Sequence, residues 1–235
     1  MNSSCKKTAL LVGATGLVGS ALLKQMLSDE FYQKIIIITR KSLGIQHHKI
    51  QEHLIDFDNL DAYAHLIKAD HIYCCLGTTI KKAKSKENFY LVDYTYPTEI
   101  AKIAKFNGAT LFSLVSAMGA CKHSTLFYYN RVKGEVEEAI EHLQFKSCNI
   151  IRPSLLLGER QEFRLGEEIG KVIAKSLDFM MVGGLKKYKP IEAKAVAVAM
   201  FAISKEMREG FHIFESSYLQ DVFDEERFSS YALSS

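Results

Sequence analysis

Tyr129 and Lys133 stand four residues apart in the segment YYNRVKGEVEEAI. On a helix that interval sets both side chains on one face, where an ammonium can lower the pKa of a phenol and hold a ribose hydroxyl. A phenol so placed can exchange a proton with a carbonyl oxygen, and Ser116, at the end of an apolar run, can orient that oxygen with its hydroxyl. By itself such a pair on an amphipathic helix is commonly structural. The catalytic reading of Ser116, Tyr129 and Lys133 gains its weight from a second motif.

That motif is GATGLVG, in which Gly13, Gly16 and Gly19 are spaced GxxGxxG between a short apolar run and a helical stripe. Glycines there permit a tight turn and let backbone amides approach a pyrophosphate, while the positive end of the helix dipole faces the anion. Thr15, Leu17 and Val18 complete the candidate phosphate loop, although a glycine-rich turn also serves simply to join a strand to a helix. Folds that prefer NAD carry an acidic residue roughly 20 residues further on. Here Thr39, Arg40 and Lys41 stand in that region. No carboxylate repels a 2′-phosphate, and Arg40 can pair with one through its forked guanidinium, so NADP(H) is the expected cofactor. A solvated basic turn is the competing reading.

In LIDFDN, Asp56 and the adjoining Phe57 follow the third strand, where the Asp56 carboxylate can accept from an adenine amine. The alternative is a helix cap, for which Asp58 is the better candidate. Leu76, Gly77 and Thr78 in CCLGTT fall at the carboxyl edge of the fourth strand, where a cofactor passes. Cys74 and Cys75 read as core residues, and His123 as a surface residue near the mouth of the site.

These residues need a scaffold, and the hydrophobic pattern supplies one. Apolar runs at Thr8–Val12, Ile35–Thr39, Ile50–Ile55, Asp70–Leu76, Thr110–Ser116 and Cys148–Arg152 alternate with helical stripes, the pattern of parallel strands and crossover helices. Val18, Leu22 and Met26 form one stripe, and Val132, Val136, Ile140 and Leu143 another. Pro97 marks a helix start or kink between Glu87 and Phe106. Ile169, Val172, Ile173 and Leu177 form a further stripe, Ala193–Ile203 an apolar helix, and Phe211–Phe214 a last strand. The expectation is an α/β fold, a Rossmann-type doubly wound parallel sheet with a small C-terminal cap region. It is read as one domain over residues 1–235, with 153–235 supplying the substrate-side cap and the last strand.

Composition fits a globular chain: 48% of residues are hydrophobic and 24% charged. The net charge of +3 arises from 30 basic and 27 acidic residues, too even a balance to suggest a nucleic-acid partner. The lysines at 81, 82, 84 and 86, and at 186, 187 and 189, read as solvated loops. Five cysteines without CxxC spacing suggest neither zinc nor a disulfide framework, and no metal site is expected. A reducing cytoplasm is the expected compartment. The N-terminal apolar stretch has no cleavage-site pattern, and no apolar run reaches the ~20 residues of a membrane span.

Taken together, GATGLVG, TRK, the Ser116–Tyr129–Lys133 set and IIRPSLLLG resemble the short-chain dehydrogenase/reductase superfamily, in its extended or atypical branch, over nearly the whole chain. More narrowly, CCLGTT, SAMGA, YYNRVKGEVE and RPSLLLGERQE are similar to the family of the human Tat-interacting protein and its bacterial relatives. The resemblance implies bound NADPH, a Ser-Tyr-Lys site, and a segment from Arg152 through Pro153 to Leu155 bordering the nicotinamide. CCLGTT departs from the Asn-Asn-Ala-Gly of classical members, so the asparagine that they use in a proton relay is not assigned here. Two functions stay open: reduction of a small carbonyl compound by NADPH, or NADPH binding by a regulatory protein with little turnover. A homodimer or a protein partner is compatible with either.

Overall fold

The computed structural model describes residues 6–157 and 189–232. Strands β1 (Lys7–Val12), β2 (Tyr32–Thr39), β3 (Ile50–Leu54), β4 (His71–Cys74), β5 (Leu111–Val115), β6 (Ser147–Arg152) and β9 (Gly210–Glu215) form a seven-stranded sheet in the order β3-β2-β1-β4-β5-β6-β9. Every neighbouring pair is parallel. This is the Rossmann-like α/β architecture expected. Short strands β7 (Leu156–Leu157) and β8 (Ile191–Glu192) pair separately and in parallel.

Parallel strands bury both faces and therefore carry continuous apolar runs. Ile35, Ile36, Ile37 and Ile38 in β2 are such a run, all buried. Their alternating sides feed two cores. On one side the sheet packs against α1 (Leu17–Ser28), α6 (Ala193–Glu206) and α7 (Ser216–Ala232), through Leu22, Met26, Met200, Phe201 and Leu219. On the other lie a 3-10 segment (Phe57–Leu66), α4 (Tyr96–Phe106) and α5 (Tyr128–Glu141), contributing Leu60, Ile100, Val136 and Ile140.

Two short helices, α2 (Ile80–Ala83) and α3 (Lys86–Tyr90), precede a π-helical turn, Leu91–Thr95, that runs directly into α4. Pro97 occupies the first turn of α4, where its missing N–H costs no helical hydrogen bond. The stripe of Ile169, Val172, Ile173 and Leu177 lies outside the described residues, as do Lys186 and Lys187. No helix of the described residues is long and apolar enough to cross a membrane.

The chain builds β1 to β3 outward, then returns to place β4 on the other side of β1. Connections leaving the carboxyl ends of β1 and β4 therefore diverge, and a crevice opens between them. GATGLVG after β1 and CCLGTT after β4 both border that crevice.

Candidate active site

Gly13 follows β1 in the left-handed region, with φ at +83°. A Cβ there would lie 2.5 Å from the Cys75 carbonyl oxygen, so the loop sits directly on the backbone of CCLGTT. A Cβ at Gly19 would lie 2.2 Å from the Gly13 carbonyl oxygen, whereas at Gly16 the nearest atom is 3.3 Å away. Gly13 and Gly19 thus close the β1–α1 turn sterically, and Gly16 leaves a shallow cradle at the helix start. Gly16 is the N-cap of α1, no side chain caps it, and the first turn holds no acidic residue. Such an end suits an anion, and the loop fits the pyrophosphate of a dinucleotide. Thr15 is exposed and Leu17 half-buried beside it, but the Val18 side chain is in the core, which leaves it only a backbone contact to offer.

At the end of β2, Arg40 and Lys41 are exposed, and Thr39 Oγ1 donates to the Lys41 carbonyl. Asp56 is itself the cap of the 3-10 segment, accepting from the Asp58 amide at 3.0 Å. Asp58, expected to be the cap, instead accepts from the Tyr96 hydroxyl. The reason is reach: the first residue outside the segment meets its amides, and Asp58 is already inside. Phe57 packs its ring against Tyr96 at 5.4 Å and is buried, so its side chain is withdrawn from any cofactor.

Helix α5 carries the two candidate residues Tyr129 and Lys133. Tyr129, Lys133 and Glu137 follow one another at four-residue intervals on one face. Tyr129 is half-buried, its ring 5.6 Å from that of Phe89. The Lys133 ammonium is buried and lies 2.8 Å from Asp93 Oδ1, in an ion pair that the sequence reading missed. Asp93 Oδ2 in turn accepts from the Thr78 amide at 2.9 Å. Burial alone would lower the Lys133 pKa, but Asp93, with Tyr129 and Cys74, more than offsets it, and the net shift is upward. A signal for Asp93 was present: a carboxylate on the stripe of Phe89, Tyr96 and Ile100, which are all buried, calls for a cationic partner.

Ser116 is not placed as a free carbonyl donor. Its buried hydroxyl donates to Glu137 Oε1, which also accepts from Arg152 Nε at 3.0 Å, while Arg152 Nη2 donates to Glu137 Oε2. The Arg152 guanidinium, expected beside the cofactor, is thereby turned onto a protein carboxylate. Buried charge demands a partner, and α5 and the end of β6 bring these two within reach. Pro153 is buried and Leu155 half-buried next to them. Leu76 and Thr78 are half-buried and Gly77 exposed at the edge of the crevice. His123 is exposed, and so are Lys81, Lys82, Lys84 and Lys86.

Gly134 was also missed. A Cβ there would lie 2.1 Å from the Lys122 amide nitrogen and 2.4 Å from the Cys121 carbonyl carbon, so the loop after β5 rests on bare helix backbone. Its Cys121 amide donates to the Asn130 carbonyl at 2.9 Å. Cys74, Cys75, Cys121 and Cys148 are free thiols. Among the described residues no group of His, Cys, Asp and Glu could hold a metal.

Comparison with known proteins adds to this geometry. Residues 9–212 match a family model described as the NAD dependent epimerase/dehydratase family. The chain is 37% identical over 175 residues to Protein HTATIP2 of Rattus norvegicus, covering 73% of this chain and 72% of that one. It is 35% identical over 195 residues to a Candida albicans protein named Protein FMP52, mitochondrial, covering 80% and 84%. Among solved structures, MoeE5 in complex with UDP-glucose and NAD aligns with TM-score 0.66 at 12% identity, over 93% of this chain and 81% of that one. The UDP-glucose 4-epimerase of Thermotoga maritima aligns with TM-score 0.64 at 14% identity, over 93% and 82%. At such identities the likeness establishes the fold. The cytoplasmic expectation is corrected by the fungal relatives, whose names place them in mitochondria. Free thiols call only for a reducing compartment, so cysteine usage does not distinguish one such compartment from another.

Proposed function

The chain belongs to the NAD dependent epimerase/dehydratase family, and from that premise we propose an NADPH-dependent oxidoreductase acting on a small carbonyl compound. The observation that carries the reading is the half-buried Tyr129 one helical turn from the buried Lys133 cation, at the crevice edge that the glycine loop also borders. Gly13, Gly16 and Gly19 with Thr15 would hold the pyrophosphate, Arg40 the 2′-phosphate, and Leu76–Thr78 would line the nicotinamide half. When bound, NADPH supplies the hydride that reduces the carbonyl carbon. Tyr129 gives its proton to the carbonyl oxygen, and Lys133 stabilises the resulting phenolate and holds the ribose. Ser116, through Glu137, braces the β5 and β6 ends against α5.

A second reading, NADPH binding with little turnover, draws on one observation. Both Ser116 and Lys133 already have protein carboxylates as partners, so the site is stable without a substrate.

Two experiments separate these readings. A panel of aldehydes and ketones is screened for NADPH oxidation at 340 nm, which is expected to find a substrate. On that substrate Tyr129→Phe is expected to lose on the order of a hundredfold in kcat with NADPH affinity retained. Wild-type turnover by Tyr129→Phe would exclude this tyrosine as the acid. Tight NADPH binding with no turnover across the panel would favour the second reading.

A further inference from the structure

We infer that Asp93 is a positioning residue of this site: its carboxylate fixes the Lys133 ammonium and the Thr78 backbone in one buried cluster and keeps Tyr129 a protonated donor at neutral pH. The inference rests on the proposed reductase reading and adds to it a residue outside the Ser-Tyr-Lys set.

The geometry joins three elements at one carboxylate. Asp93 is 1% exposed and Lys133 3%. One oxygen meets Lys133 Nζ of α5 at 2.8 Å, and the other accepts from the Thr78 amide, after β4, at 2.9 Å. The carboxylate itself stands in the π-helical turn Leu91–Thr95. Turns of that kind are uncommon, are often found at functional sites, and shift the face that a helix presents. Gly77 closes the arrangement: a Cβ there would lie 3.5 Å from Asp93 Oδ1 and 3.8 Å from Lys133 Nζ. The loop bordering the crevice therefore lies directly over the pair.

The electrostatic consequence follows from charge balance. A lone buried ammonium beside a phenol stabilises the phenolate and pulls its pKa down. The groups acting on Lys133 are Asp93 from the π turn, Tyr129 from α5 and Cys74 from β4, and burial keeps the Cys74 thiol protonated with its pKa pushed up to about 12. Asp93, ion-paired with Lys133, is the counter-charge of that set, and it opposes the ammonium's field at Tyr129. A phenol left protonated serves carbonyl reduction, which needs a proton donor, better than alcohol oxidation, which needs a base.

Asp93→Asn removes the charge and keeps the shape. The test follows the tyrosine Cζ resonance of the purified full chain labelled with 13C-tyrosine, the Tyr129 signal being assigned by its loss in Tyr129→Phe. In Asp93→Asn the Tyr129 midpoint is expected to fall by about one pH unit or more relative to wild type, because the charge that opposes the Lys133 ammonium has gone. An unchanged or higher midpoint overturns the inference. If neither protein titrates below the pH at which it unfolds, the inference is overturned as well.

Thermal melts guard against a misfolded variant. Lys133→Met leaves the Asp93 charge buried and unpaired, so the double variant Lys133→Met/Asp93→Asn is expected to melt above the single one. A double variant melting at or below Lys133→Met overturns the pairing. Neither readout needs a substrate. A failed carbonyl screen would therefore sink the reductase reading while the titration still reports on Asp93.

Discussion

Arg40 is exposed at the end of β2 with no carboxylate beside it in Thr39–Lys41, and its charge acts on the nearby Tyr96 hydroxyl. A guanidinium in that state can turn to a 2′-phosphate without giving up a protein partner, and a charge-assisted contact of this type is worth ~1.5 to 3 kcal/mol. Arg40→Ala is therefore expected to weaken NADPH by roughly tenfold or more and leave NADH unchanged, as read by fluorescence titration of both. Equal wild-type affinities for the two cofactors would remove the basis for NADP preference. Glu137 is the opposite case, a buried carboxylate with both oxygens used by Ser116 and Arg152. Glu137→Ala strands the guanidinium and is expected to cost about 3 kcal/mol in a urea melt.

Between elements, the decisive contacts are made where side chains are missing. The β1–α1 turn can pack on CCLGTT only because Gly13 and Gly19 have no Cβ, while the backbone at Gly16 has room for one with a small adjustment. Gly19→Ala should accordingly lower the melting temperature, whereas Gly16→Val should keep a cooperative melt and lose NADPH binding. A Gly16→Val variant that bound the cofactor normally would show that this loop is not the cradle. The same logic applies to α5, where the Cys121–Lys122 backbone occupies the space a Cβ of Gly134 would fill. Gly134→Ala is an overpacking change, expected to cost about 1 to 3 kcal/mol and to raise hydrogen exchange in the loop after β5.

Across the molecule, a buried polar chain ties β2, β4 and α6 together at the end of the sheet away from the crevice. Tyr32 Oη meets His71 Nδ1 at 2.6 Å and Tyr73 Oη at 2.7 Å, and Tyr73 also hydrogen-bonds Ser204. Burial, aided by Lys7, lowers the His71 pKa from 6.5 to about 4. Between those values the unfolded chain binds a proton that the folded one refuses, so stability is complete above the upper value and declines as the pH falls toward the lower. The loss is up to about 1.4 kcal/mol per pH unit. Asp70 next to it is shifted down from 3.8, so its contribution is lost only below this window. Urea midpoints of wild type are expected to fall between about pH 7 and about pH 5, and His71→Gln should flatten that dependence. An equal slope in both proteins would remove His71 as its source.

Local rules carried much of this fold. Apolar runs a few residues long, separated by helical stripes, located the seven strands of the main sheet to within a few residues, because a parallel strand buried on both faces leaves little freedom in its composition. The GxxGxxG spacing placed a turn between β1 and α1 for an equally local reason, and the interval from Tyr129 to Lys133 follows from helix geometry alone. The C-terminal helix α7 was not read, since its apolar positions are sparse among acidic residues, and the β7–β8 pairing joins segments too short to carry a pattern. Partners of charged groups were beyond reach. Asp93 lies forty residues before Lys133, Glu137 meets Arg152 across a helix–strand boundary, and Ser116 is drawn from the mouth into that network. Sequence determines which residues can ionise and on which face of an element they stand. Which buried charge answers which is decided only when packed elements exclude water and leave each group the partner that lies within a few ångströms.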